Sequence, residues 1–247
     1  MLTTPPDSEH GEESVPAAQI RVLWAAEMAP NLNALSAVHV GLNCLHIGKK
    51  SASAANATEP LTTDVLTAIA DAHMLFVVSD VESEAWAQQI DAACKQANKN
   101  APFRIRMLDH PEATCVAIRS MTEMLNVYSF IGIDIEDVRF ALDGQGFITI
   151  GTGVATGQDR AHIAAMQALA NANLIACDAA CDAPTVHGAL LIISAAPSKL
   201  PLSECSSIRT RFVDRLSDDT KWVYGMNHDA SLGEAIRVAI FVNRTSA

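Results

Sequence analysis

From Gln19 onward, short apolar runs alternate with segments whose apolar residues recur every three or four positions. The runs "QIRVLWAA" (19–26), "GLNCLHI" (41–47) and "HMLFVVSD" (73–80) predict strands with both faces buried. Between them, Leu32–Val38 reads as a short helix, "KKSASAANATEP" (49–60) as a small-residue loop and "LTTDVLTAIADA" (61–72) as a helix. Trp86, Ile90 and Cys94 share one face of the next helix. "FRIRM" (103–107) alternates Phe103, Ile105 and Met107 with Arg104 and Arg106, the pattern of a half-exposed strand. Asp109 and Glu112 form a capping box with Pro111 in the first turn. The stripe Cys115, Ile118, Met121 and Leu125 then carries a long helix to about Asn126.

The second half has a different rhythm. Ile135–Leu142 predicts a short helix, Phe147–Ile150 a strand, and a glycine loop (Gly151, Gly153, Gly157) leads into an alanine-rich helix over Asp159–Ala172. "GALLIISA" (188–195) is a strand. Leu202, Cys205, Ile208, Phe212 and Leu216 mark one face of a helix over Leu202–Leu216. "KWVYGM" (221–226) and "AIRVAIFV" (235–242) close the chain as strands. The order βαβαβαβ followed by βαβαββ predicts an α/β protein. Its parallel-sheet N-terminal domain, residues 19–130, is joined by the long helix to a smaller mixed-sheet domain, residues 131–247. Residues 1–18 read as a disordered acidic tail.

At 49% hydrophobic and 18% charged residues, the 247-residue chain has the composition of a folded protein. A net charge of −11 and the lack of any basic cluster argue against nucleic-acid binding. No apolar run approaches the roughly 20 residues of a membrane span, and the N-terminus has neither the basic start nor the apolar core of a secretory signal. A cytoplasmic protein with no membrane insertion is expected. Six scattered cysteines form no CxxC pair; Cys177 and Cys181, beside Asp178 and Asp182, lack the second ligand pair of a zinc site. No metal is expected.

The stretch "FITIGTGVATGQDRA" invites a nucleotide-loop reading, and its chemistry declines it. A Walker loop needs GxxxxGK[ST], whereas Gln158 and Asp159 follow Gly157. A dinucleotide fold needs GxGxxG and an acid ending the next strand; here the spacing is GxGxxxG and the strand ends "LIISAAP". Asp159 is better placed as a favourable charge at a helix start.

The segment "DIEDVRFALDGQGFITIGTGVATGQDRAHIAAMQAL", continued by "HGALLIISAAPSKLPLSE" and "VYGMNHDASLGEAIRVAIFV", resembles the FtsZ/tubulin superfamily, and FtsZ in particular. The likeness runs over about Asp134–Val242 and rests on the family's DxxDVR segment and its G-x-G-x-A-x-G-x-x-R-A turn. It implies an FtsZ/tubulin-like fold in which this glycine turn belongs to the C-terminal domain and holds no nucleotide. In FtsZ, GTP lies on glycine loops of the N-terminal domain. Here Ala25, Ala26, Glu27 and Met28 stand where the first loop's glycines belong, and Pro30 removes a donor. Glu82 and Glu84 stand in "VESEAWA", where the family has its GGGTGTG loop. Carboxylates at a helix N-terminus repel phosphate, and the span from "FRIRM" to the long helix is shorter than the family's.

The resemblance also implies a role for the loop Gly132–Asp137. FtsZ has NxDxxD there, reaching into the neighbouring subunit of a head-to-tail filament to position water at the γ-phosphate. Asp134 and Asp137 keep the acids, with Gly132 for the asparagine. Helix capping by Asp134 and a first-turn charge at Asp137 explain the same residues and are the preferred reading. Apart from that relic in-trans pair, no catalytic residue and no cofactor is assigned.

The expectation is therefore an FtsZ-like cell-division or cytoskeletal protein with a degenerate nucleotide pocket. It would act as a pseudo-GTPase, a non-hydrolysing binding or regulatory partner of FtsZ or another filament or division protein through the Gly132–Asp137 end, or by self-association. The alternatives are a minimal, polymerising FtsZ homologue with GTP as cofactor, or an FtsZ fold recruited to an unrelated assembly. FtsZ continues beyond its last strand to a peptide that engages membrane tethers; this sequence stops at Ala247, so docking by that route is not expected.

Overall fold

The computed structural model describes residues 17–25, 41–47, 60–79, 84–106, 111–127, 129–144, 146–174 and 185–245. Its strands are β1 (Ile20–Trp24), β2 (Leu42–His46), β3 (Met74–Ser79), β4 (Phe103–Arg106), β5 (Phe147–Ala155), β6 (Val186–Ala195), β7 (Lys221–His228) and β8 (Ile236–Arg244). Its helices are α1 (Thr63–Asp71), α2 (Glu84–Gln96), α3 (Pro111–Asn126), α4 (Ile135–Leu142), α5 (Arg160–Asn171) and α6 (Leu202–Val213). The α/β class read from the alternation holds. The Leu32–Val38 helix, the Asp109 cap, the acidic tail to residue 16 and the Cys177/Cys181 pair lie outside the described residues.

All eight strands form one sheet in the order β2-β1-β3-β4-β5-β8-β6-β7. The first four pair in parallel, as expected of strands joined by helical crossovers. β4 then pairs in parallel with β5 at Ile105 and Ile148. β8 inserts antiparallel between β5 and β6. The change from all-parallel to mixed pairing supports our proposal of two domains meeting near residue 130, although their strands are continuous across it.

Alternation along the strands sorts side chains into two faces. One face buries Ile20, Val22, Trp24, Phe76, Phe103, Ile105, Ile148, Ile192 and Phe241 against α3 and α4. The other has two cores: Leu23, Leu75 and Val77 against α1 and α2, and Leu191, Ile193, Val238 and Ile240 against α5 and α6. α1 begins where Thr62 caps it, its side chain accepting from Val65 N at 3.4 Å. Arg104 leaves the half-exposed face of β4 to bind Asp91 Oδ1 and the Ala87 carbonyl on α2, at 2.8 and 3.2 Å.

Two expectations are corrected. The strand foreseen to stop at Ile150 continues to Ala155, so Gly151 and Gly153 lie in β5 and only Gly157 (φ +87°) turns the chain. A Cβ at Gly151 would lie 2.0 Å from Ala168 O, and one at Gly153 2.1 Å from Ala164 O. The glycines let α5, faced with Ala161, Ala164, Ala165 and Ala168, rest directly on the strand. The second correction concerns α6, which ends at Val213 and leaves Leu202 72% exposed, so the apolar stripe begins at Cys205.

Phe212, 1% exposed, packs edge-on to Trp222 at 6.2 Å. Phe212→Ala should cost about 3–5 kcal/mol. Urea unfolding measures it, and a midpoint equal to the parent's would remove this residue from the core.

Candidate functional site

The two ends of the parallel strands define the site's geography. In open α/β sheets, ligands gather beyond the carboxyl ends of the strands; here these are the residues after Trp24, His46, Ser79 and Arg106. Ala25, at the first of them, is fully buried, and its N–H donates to the Val78 carbonyl at 2.8 Å. Ala26, Glu27, Met28, Pro30 and Glu82 lie outside the described residues, as does the side chain of Glu84.

The Gly132–Asp137 loop sits at the opposite end. α3 starts beyond the carboxyl end of β4 and runs back along the sheet. At its finish, Asn126 Oδ1 accepts from Ala18 N, just before β1, at 2.7 Å. Ile131 then exchanges backbone hydrogen bonds with Met226 on β7. Gly132 is exposed and a Cβ there would meet nothing within 4 Å, so no contact of this chain demands glycine.

Asp134 caps α4. Its Oδ1 accepts from Asp137 N at 2.8 Å while Asp137 Oδ2 accepts from Asp134 N at 3.0 Å, a reciprocal capping box. The geometry displays the expected cap by Asp134 and adds to the first-turn Asp137 a return bond to the Asp134 N–H. Asp134 nonetheless remains exposed, and Asp137 is half-buried. One turn on, Arg139 pairs with Glu136 at 2.8 Å and donates to the His73 carbonyl at 3.2 Å, tying α4 to the segment entering β3. A cavity of about 310 Å³ lies between Ile135, Glu136 and Arg139 and the segments entering β3 and β4.

The sequence reading missed an apolar patch next to the residue before this loop, at the carboxyl ends of β6 and β7. Phe130 is 60% exposed and its ring stacks on His228 at 6.5 Å. With Leu200, Leu202 and Met226 these residues line a second cavity of about 210 Å³. Only an unexplained aromatic just before the loop could have signalled it. Beneath lies a buried ionic cluster: Arg237 contacts Asp229 at 2.9 Å and Glu123 at 3.5 Å, and Arg119 contacts Glu123 at 2.9 Å. Burial pushes the Asp229 carboxyl up, but hydrogen bonds from Ser231 and the Arg237 charge outweigh it and leave the pKa below its ordinary value.

The glycine motif's arginine is structural. Arg160 grips Glu204 with two hydrogen bonds, at 3.0 and 2.7 Å, and donates to the carbonyls of Lys199 and Glu234. Asp159 occupies the N-cap of α5 without a side-chain capping bond. Burial raises the Cys94 and Cys115 thiols to about 11 and 12, which leaves them protonated and poor ligands at neutral pH. Among the described residues no His, Cys, Asp and Glu group is placed to hold a metal. No helix among them is long and apolar enough to cross a membrane.

Residues 146–245 match the C-terminal domain of the FtsZ family. Cell division protein FtsZ 1 of Thermococcus kodakarensis is 28% identical over 148 residues, 60% of this chain and 38% of that protein. Cell division protein FtsZ of Caulobacter vibrioides is 30% identical over 125 residues, 50% of this chain and 23% of that protein. The matches thus span well under half of the curated relatives' length. In structure, an empty FtsZ dimer from M. jannaschii superposes with a TM-score of 0.65 at 15% identity, covering 92% of this chain and 88% of that one.

Two predictions concern this end of the molecule. Asp134→Ala should cost about 0.5–2 kcal/mol through the lost cap; chemical denaturation reads it, and no change would mean the box does not stabilise α4. Because the Asp229 pKa is depressed, its stabilisation is present above its ordinary value of 3.8 and lost as pH falls through the folded value. Asp229→Asn should destabilise by about 3–5 kcal/mol at pH 7 by leaving Arg237 under-compensated. In melting curves taken against pH, the gap between parent and variant should narrow below about pH 4. A gap constant to pH 2 would exclude the ion pair as its cause.

Proposed function

Because the chain is an FtsZ-like protein of the tubulin superfamily, we propose that it serves cell division or a related cytoskeletal assembly as a non-hydrolysing partner of an FtsZ-type filament. The observation that carries this reading is the contrast between its two ends. At the turn from α3 into α4, the capping box presents an exposed Asp134 shortly after the exposed Phe130, which with Leu202 borders a cavity at the carboxyl ends of β6 and β7. After β1 and β3, by contrast, the sequence has Ala25, Ala26, Glu27 and Met28, then Glu82 and Glu84, where phosphate would require backbone N–H groups and glycine.

A head-to-tail filament grows only if each subunit offers both complementary surfaces. A subunit with the Asp134 end alone can occupy the nucleotide face of an FtsZ subunit and halt addition there. One of the FtsZ structures with this fold is a dimer, in keeping with assembly as the mode of action. Self-association of two copies of this chain would use a different contact, since neither copy would offer the nucleotide face. The protein is thus read as a pseudo-GTPase that acts as a filament cap at substoichiometric ratios.

Titration calorimetry with GTP and magnesium should give no binding tighter than about 1 mM, roughly −4 kcal/mol. Micromolar affinity, or phosphate release above a buffer control, would replace this reading with that of a GTP-binding, polymerising homologue. Light scattering of FtsZ from the same organism should fall when this protein is added below equimolar ratio. An unchanged trace, or an effect that persists in a folded Asp134→Ala, Asp137→Ala double variant, would overturn the cap.

A further inference from the structure

We propose that the outer edge of β7 is a docking site for an extended, acidic β-strand segment of a partner protein. Among the described residues β7 is the last strand of the sheet, and its inner side pairs with β6. On its outer side, among the described residues, Ile131 alone pairs with it, through hydrogen bonds of 3.2 and 3.0 Å with Met226. Backbone groups alternate in direction along a strand. Since Met226 points its N–H and C=O outward, so do Tyr224 and Trp222, while Lys221, Val223 and Gly225 turn theirs to β6. From Met226 back to Trp222, outward hydrogen-bonding groups stand in a row beside an antiparallel pairing that has already begun.

Open sheets have edges as a matter of course, and proteins blunt them with short strands, prolines, bulges or charges. This edge is eight residues long, has no proline, and pairs with β6 in unbroken register from Gly188 to Ala195. At its centre are Trp222, Val223 and Tyr224, residues that favour strand pairing. Trp222 and Tyr224 lie 6.1 Å apart on the α6 face, a ready platform for side chains of an added strand.

Charge identifies the occupant. Lys221 sits 5.5 Å from the Phe140 ring on one face of the edge, and Arg209 6.0 Å from the Tyr224 ring on the other. Among the described residues neither cation has a carboxylate partner, in a chain of net charge −11. A strand carrying carboxylates on both faces would meet one cation on each. Asp218 and Asp219 lie in the turn before β7, so they bound the site at Lys221 and do not line it. Backbone pairing would supply the affinity, and the two cations the selection, as in other strand-addition complexes.

This inference does not depend on the Asp134 end or on any filament. A fluorescein-labelled heptapeptide of alternating valine and glutamate is the probe, with its valine and lysine counterpart as control. Fluorescence anisotropy should show the acidic peptide binding at least tenfold tighter than the basic one, with quenching of Trp222 emission. Tyr224→Pro removes an outward N–H without touching the β6 ladder and should weaken binding at least tenfold, its melting temperature checking the fold. Arg209→Glu with Lys221→Glu alters only exposed side chains and should reverse the preference. Equal affinity for both peptides, no saturation by 1 mM (about −4 kcal/mol), or binding untouched by charge reversal would overturn the proposal. So would a dimer that forms without peptide and is dissolved by Tyr224→Pro, which would assign the edge to a second copy.

Discussion

One apolar layer holds both halves of this molecule in register. α3 and α4 lie on a single face of the sheet, and the core beneath them runs without a break from Ile20 on β1 to Ile192 on β6. At about 25 cal/mol per Å² of apolar surface, such a layer outweighs any of the polar contacts that decorate it. Its thinness is set by glycine as much as by large residues. A Cβ at Gly188 would fall 1.8 Å from Ala141 O, so α4 reaches β6 only because that position has no side chain. The direction of α3 then fixes the rest: it delivers the chain from the carboxyl end of β4 to the amino end of β1, where Asn126 binds Ala18. The loop to Asp134 can emerge nowhere else.

How much of this was legible follows from which forces act locally. The period of the apolar residues gave α3, α4, β6 and β8 nearly to the residue, because burial on one face writes itself into spacing. The cap by Asp134 was also readable, being a local contact, whereas the reciprocal bond from Asp137 to the Asp134 N–H appears only in the structure. The glycines of β5 were not, because a glycine required for loop freedom and one required for close approach look the same until the partner helix is known. Leu202 failed for a related reason: one apolar residue in helical phase with a stripe can belong to the next surface. The β4–β5 pairing had no local signature at all. It joins Ile105 to Ile148 across a helix pair, and only the shared core dictates it.

The candidate site divides the same way. The sequence located the acidic loop but could not show that Phe130, just before it, and Leu202, far along the chain, border one cavity, or that Arg237 pairs with both Asp229 and Glu123. Those neighbours are brought together by β6, β7 and β8, whose order is not the order of the chain. The proposal that the two glycine-poor segments no longer cradle phosphate rests on residue chemistry alone, since phosphate chemistry demands particular residues at particular points.

The acidic loop and the open edge of β7 meet at one residue. Ile131 ends the pairing along β7 and begins the turn to Asp134, with Gly225 and Met226 packed against it. A strand laid on Trp222–Tyr224 would run toward Ile131 and buttress the loop from the side. A subunit seated on Asp134 and Phe130 would in turn press on the same hinge from the end. Both occupants would then rest on the Ile131–Met226 pairing, so the stability of that one bridge links the two surfaces. The sign of that coupling is favourable unless the two occupants overlap at Phe130, whose 60% exposure leaves its ring available to only one of them.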